Sequence, residues 1–285
     1  MLEMILNPRR SERKPWELFF IGLLYAGISV LMVHWFFGGD IVLVKYSGLL
    51  VVTFTVMLSM PYLYYTIKLE EEKDSEYEEG FKLLKEHGRT IYSLLFLFLG
   101  FLVAFSVLYI ALGSTDNYQV QIETYCSINS PNNYEFCVQQ YGVMTGKITG
   151  EFMRGEMLGG VFSNNLRVLI FTIIFSIIFG AGGIFILAWN ASVISAAMVI
   201  YANNDLYSLP ISLARYMIHG FPEIAAYFIG TLAGGIIGFS IIRKEFRSEK
   251  IWKIMYDVLL LIISAIVILL IAGFIEVYIT PIIFR

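Results

Sequence analysis

Charge is scarce in this sequence. Only 15% of its 285 residues are Asp, Glu, Lys or Arg, against about 25% in a typical soluble domain. The 20 basic and 23 acidic side chains leave a net charge of −3, which excludes a nucleic-acid binder built on a basic face. Two Cys and three His exclude a disulfide scaffold and a Cys-rich zinc site. No Walker A loop, H-E-x-x-H helix or G-x-S-x-G elbow is present, so no nucleotide, zinc-protease or serine-hydrolase chemistry is indicated. No enzymatic activity, cofactor or metal is expected. What is abundant is apolar: 58% of the residues, with a mean hydropathy of +0.71. That excess excludes an ordinary soluble enzyme and a disordered chain. The apolar residues come in long runs, not in alternation, which argues against an outer-membrane barrel.

A bilayer core of about 30 Å takes roughly 20 helical residues. Six runs meet this: Trp16–Phe37, Ser47–Ile67, Thr90–Leu112, Leu166–Ala188, Phe221–Ile242 and Ile254–Ile279. The first is too long for a signal-peptide core, and Trp16, Trp35 and Phe36 suit its interfacial ends. Pro61 is expected to kink the last turn of the second run.

Basic loops stay in the cytoplasm. Arg9, Arg10, Arg13 and Lys14 place the N-terminus inside. The charged linker 68–89 is also basic enough to lie inside, and the acid-rich 113–160 fits outside. Residues 243–253 carry Arg243, Lys244, Arg247, Lys250 and Lys253, so they belong inside. Six simple spans would leave them outside, and an extra crossing is needed between 188 and 220. Trp189–Ala202 is the best candidate, although it gives only about 21 Å of helix. Leu206–Met217 follows as a weakly apolar partial or re-entrant element. The expected fold is an all-α polytopic helical bundle of about seven membrane segments, with a short or broken segment near 189–220. Six spans with a failed charge rule is the alternative. The expected organisation is membrane helices with a cytoplasmic linker over 1–112, an external subdomain over 113–160, a membrane core over 161–245 and a final membrane helix over 246–285.

Cys126 and Cys137 lie in the external loop, where a disulfide can form; two free thiols are the alternative. Glycines at 142, 146, 150, 155 and 159 suit either an amphipathic helix on the outer face or a glycine-rich loop. Gly230, Gly234 and Gly238 make two overlapping GxxxG units, a close-packing stripe for a neighbouring helix or a homodimer seam.

Ionisable and amide side chains at membrane depth usually face a bundle interior or a water-filled cavity. They cluster between 162 and 223: Asn164, Asn165, Arg167, Asn190, Arg215, His219 and Glu223. Each has an ordinary role open to it. Asn164 can cap a helix, Pro222 suits a first helical position, and Glu223 would then sit in a first turn. Arg215, Arg167 and His219 are the expected partners of Glu223. Asp257 and Glu276, near the ends of the last span, are expected to face headgroups or water.

Phe162, the pair Asn164-Asn165, Asn190, and His219-Gly220-Phe221-Pro222-Glu223 together resemble the stage II sporulation protein M family of integral membrane proteins. That family shows an aromatic or aliphatic residue before a paired Asn, a glycine-rich span, an Asn among small residues, and a His-Gly-x-x-Glu opening a small-residue helix. The resemblance covers about residues 150–245. The family often has Pro where this chain has Ile218, and Gly where it has Ala191. In spore formers the family member looks like a membrane anchor that assembles cell-wall-degrading partners, and relatives occur in organisms that never sporulate. The resemblance implies a cell-membrane, multi-pass module whose partners are the lipid bilayer and membrane or extracellular proteins, with no nucleic acid. Three functions stay open: a partner-recruiting scaffold, a channel or transporter using the polar cluster, and, with least support, an intramembrane enzyme.

Overall fold

The computed structural model describes residues 14–38, 40, 43–76, 81–113, 116–129, 134–142, 154–179, 182–242 and 250–284. These are helical, with no strand among them. The helices are α1 (Glu17–Phe37), α2 (Ser47–Glu76), α3 (Phe81–Leu112), α4 (Gln119–Asn129), α5 (Tyr134–Gly142), α6 (Arg154–Phe179), α7 (Gly183–Tyr201), α8 (Leu209–Ile242), α9 (Lys250–Phe274) and α10 (Thr280–Ile283). A π turn, Ile275–Ile279, joins the last two. Among the described residues seven helices are long and apolar enough to cross a membrane: α1, α2, α3, α6, α7, α8 and α9. The protein is a multi-pass helical membrane protein. With 11 and 9 residues, α4 and α5 reach only about 16 and 14 Å and cannot cross.

The count of segments agrees with the charge argument, but the boundaries differ. Leu166–Ala188 is not one span. α6 ends at Phe179 and α7 starts at Gly183. Gly182 passes so close to α6 that a Cβ would lie 2.7 Å from the Phe175 carbonyl oxygen. The Ser176 hydroxyl then accepts the Gly183 backbone N–H at 3.1 Å, satisfying one orphan donor of α7. The extra crossing is therefore α7, a whole helix of 19 residues and about 28 Å, and not a re-entrant piece. Leu206–Met217 is likewise no partial element. Most of it is the start of α8, which continues through Pro222 to Ile242. Pro61 is also well inside its helix, because α2 runs on to Glu76. The charged linker is thus largely the ends of α2 and α3.

A tight connection joins α7 to α8. Asn203 and Asn204 adopt φ of 53° and 57°, a left-handed geometry that Asn tolerates better than most residues. Asp205 then accepts from the Tyr207 and Ser208 backbone N–H groups and the Ser208 hydroxyl.

Glycines set how the helices pair. A Cβ on Gly22 would clash with the Leu97 carbonyl and approach Gly100, and Gly27 faces Leu108 further along. Contacts that advance together in both chains mean that α1 and α3 run parallel. Gly230 meets Leu169, Gly234 meets Ile173 and Gly238 meets Ile177, so α6 and α8 also run parallel. The helix between each pair, α2 or α7, runs back. The chain thus contains two three-helix units, each a parallel pair plus a return helix. An odd number of crossings in the first unit starts the second from the opposite side. The core lies among α2, α3, α7 and α8, where Leu63, Phe101, Phe105, Leu187, Ala191 and Phe228 are buried. The α8 window is 83% buried and the α6 window 22%, which makes α8 the axis of the second unit and α6 its lipid-facing flank.

A disulfide joins Cys126 of α4 to Cys137 of α5, with Cα atoms 5.7 Å apart and both side chains buried. The pair docks on the bundle. Gln121 donates to the Gly48 carbonyl at 3.0 Å and the Ser192 hydroxyl at 3.2 Å. The Tyr118 hydroxyl donates to the Phe105 carbonyl at 3.1 Å, and Tyr125 hydrogen-bonds Tyr216 of α8. Most of the glycine-bearing stretch, 143–153, and the basic residues Arg9, Arg10, Arg13, Arg243, Lys244 and Arg247 lie outside the described residues.

Candidate functional site

Arg215, His219 and Glu223 follow one another at intervals of four on α8, so they share one face. That face meets the C-terminal end of the chain running the other way. Arg215 donates to the Phe284 carbonyl at 2.9 Å. His219 Nδ1 and the Thr280 hydroxyl are 3.3 Å apart. The carboxyl of Glu223 hydrogen-bonds that of Glu276. The three partners, 284, 280 and 276, are also four apart. The result is a polar ladder with three rungs. Its ends are secured from outside: the Arg215 guanidinium stacks 4.6 Å above the Tyr201 ring, a cation–π contact, and Asn165 of α6 donates to Glu223 Oε1 at 2.6 Å.

Local backbone choices set this register. Pro222 cannot donate to the Ile218 carbonyl, which loosens α8 beside Glu223. On the facing chain the Thr280 N–H bonds back to Ile275, five residues earlier, and the Thr280 hydroxyl shares that carbonyl at 3.2 Å. This π turn contains Glu276. Such turns insert an extra residue and are frequent at functional sites.

Proton accounting follows from the lowest rung. Two ionised carboxylates have only acceptors, so a hydrogen bond between them needs a proton on one. Glu223 accepts from Asn165 on Oε1 and can donate to Glu276 through its other oxygen. The arrangement ties α6, α8 and the π turn together. Among the described residues no group of three or more His, Cys, Asp and Glu can hold a metal ion.

The expected partners of Glu223 are not its partners. Arg167 is exposed on the outer stripe of α6, and Arg215 and His219 form their own rungs. Asn190 is half-buried in α7 and donates to the Ile186 carbonyl of its own helix at 2.7 Å, away from the ladder. Asn164 is exposed and only touches Asn165, at 3.5 Å. It lies well inside α6 and caps nothing; Pro222 and Glu223 are likewise far from a helix start. Glu276 does not face water alone but pairs with Glu223, and Asp257 is buried.

A second buried group was not anticipated. Glu70 of α2 and His87 of α3 meet at 2.6 Å through Oε2 and Nδ1, both almost fully buried. The Thr90 hydroxyl donates to the other Glu70 oxygen at 2.7 Å. All three fall in or beside the charged stretch 68–89, where charge suggests solvent. The available signal is that His87 and Thr90 are three apart, on one helical face. A small cavity lies nearby, lined by Thr66, Thr90, Leu94, Phe228 and Thr231.

No curated protein and no solved structure matches the chain. The family model for stage II sporulation protein M matches residues 92–281. That match reaches from α3 through the π turn, well beyond the 150–245 stretch, and takes in two of the three rungs of the ladder whole, Glu276 and Thr280 included, while Phe284 lies beyond it. With two thirds of its length so matched, this chain belongs to the stage II sporulation protein M family of membrane proteins.

Proposed function

We propose that the protein is a non-enzymatic membrane scaffold that presents the disulfide-closed subdomain to a partner protein on the external side. The observation that carries this reading is the pairing of the polar membrane residues with one another. Arg215, His219, Glu223 and Asn165 are occupied by Phe284, Thr280, Glu276 and each other. Polar groups used in this way fix helix packing. The docked subdomain supports the same reading, since Phe136 on α5 is 65% exposed while Cys137 beside it is buried. The test is site-specific photocrosslinking in cells at Phe136, with Ile178 on the lipid-facing side of α6 as control. A discrete protein adduct at 136, absent at 178 and lost on Cys126→Ser with Cys137→Ser, is expected. Lipid adducts alone at both positions would refute the scaffold.

A second reading, proton-linked transport, has its own support. Proton-coupled transporters use intramembrane carboxyl groups and irregular helices, and the pairing of Glu223 with Glu276 of the π turn fits that pattern. Proton flux into proteoliposomes decides it. Uptake by the wild type that Glu223→Gln abolishes would favour transport over the scaffold.

A further inference from the structure

The exposed side of α6 is a single stripe: Ser163, Asn164, Arg167, Ile170, Phe171, Ile174 and Ile178. It repeats every three or four residues, so it is one face of the helix. The four apolar members are between 44% and 64% exposed, as suits contact with acyl chains. Arg167 breaks the pattern. It lies nine residues into the 22-residue span that starts at Leu158, about 14 Å along the helix. It makes no hydrogen bond or ion pair among the described residues. An unpaired guanidinium facing hydrocarbon is costly.

Helical side chains lean toward the N-terminus. A long Arg therefore rises along the stripe toward Asn164 and Ser163, one turn nearer the membrane surface, keeping its stem on apolar neighbours. The three residues then offer a guanidinium fork, an amide and a hydroxyl at one level, with an apolar track below. We propose that this face binds one anionic phospholipid of the leaflet on the α4–α5 side. Its headgroup phosphate takes the fork of Arg167 bidentately with help from Asn164 and Ser163. Its chains lie on Ile170, Phe171 and Ile174. Planar, bidentate recognition of phosphate is what arginine does better than lysine.

The full chain in detergent, titrated with phosphatidylglycerol and followed by native mass spectrometry, tests this. The comparison lipid is an uncharged galactosyl diacylglycerol of the same chain length. The wild type should retain one phosphatidylglycerol through mild activation and bind the galactolipid at least tenfold more weakly. Arg167→Gln should weaken phosphatidylglycerol roughly tenfold to a hundredfold, the span of one lost charge-assisted contact. Arg167→Lys should fall between. Equal retention of both lipids by the wild type overturns the proposal without any variant. So does unchanged phosphatidylglycerol binding in Arg167→Gln. A wild-type dimer that Arg167→Gln converts to monomer would assign the stripe to a second copy and also overturn it.

Discussion

Replacing Glu223 by Gln and by Ala separates two accounts of the ladder. In the structure Glu223 accepts from Asn165 at 2.6 Å and bonds Glu276. Gln has the same shape, an oxygen to accept from Asn165 and an N–H to donate to Glu276. Both bonds survive, so Glu223→Gln should cost less than about 1 kcal/mol. Ala removes both bonds and leaves the Asn165 amide and the Glu276 carboxyl unpaired. Hydrogen bonds between membrane helices average about 0.6 and reach about 1.7 kcal/mol. Two of them, with the space left by the truncated side chain, put Glu223→Ala at roughly 2–4 kcal/mol. The assay is reversible unfolding of the full chain in mixed micelles by SDS, followed by helical circular dichroism. A double-mutant cycle with Asn165→Leu should show coupling for Ala and little for Gln. If Gln proves as costly as Ala, Glu223 is not a donor to Glu276 and the proton accounting of the ladder is wrong.

Gly234→Val would bring a Cβ within 2.5 Å of the Ile173 carbonyl oxygen and 2.8 Å of the Ser176 Cβ; overpacking of this kind costs about 1–3 kcal/mol, read in the same SDS titration, and an unchanged midpoint would refute the α6–α8 contact. Glu70→Ala strips a buried hydrogen-bond partner from His87 and Thr90 and should cost about 2–5 kcal/mol, since two buried polar groups are left unsatisfied; a neutral result would place Glu70 in solvent. The Asp205 carboxyl lies below the ordinary range because the Ser208 hydroxyl, then the Tyr207 and Ser208 N–H groups, favour its ionised form. Its contribution to the turn is therefore present above about pH 3.9 and lost as pH falls through the lowered value. Carbon-13 NMR titration should find that midpoint below the ordinary value, with Ser208→Ala moving it upward.

Hydropathy and charge parity made the helical bundle and its seventh crossing readable. They failed to locate that crossing because the break between Phe179 and Gly183 falls inside an otherwise continuous apolar run, and an average over about 20 residues does not register so short an interruption. The glycine cluster Gly180, Gly182 and Gly183 is the local signal for it, since glycine commonly follows a helix C-terminus. Proline misled in the other direction. Pro222 suggested a helix start, yet α8 continues through it to Ile242. One side of the ladder was legible as Arg215, His219 and Glu223. The other side was not, because 276, 280 and 284 are more than fifty residues away in sequence and Phe284 takes part through its backbone. The Glu70–His87 pair was hidden for a similar reason: a charge run reads as solvated unless two helices are known to fold it inward.

The two three-helix units begin on opposite sides of the membrane, which bears on how the chain acquires a direction during insertion. A pair of units turned over relative to each other offers both leaflets a comparable set of helix ends. Direction must then come from the basic flanks of the helices and from what the units do not share. Three additions differ: the disulfide-closed pair α4 and α5, the long helix α9 with its π turn, and the exposed arginine of α6. All of these follow α3 in the chain. The structural difference between the two units is completed only when the segment after α9 closes the ladder against α8.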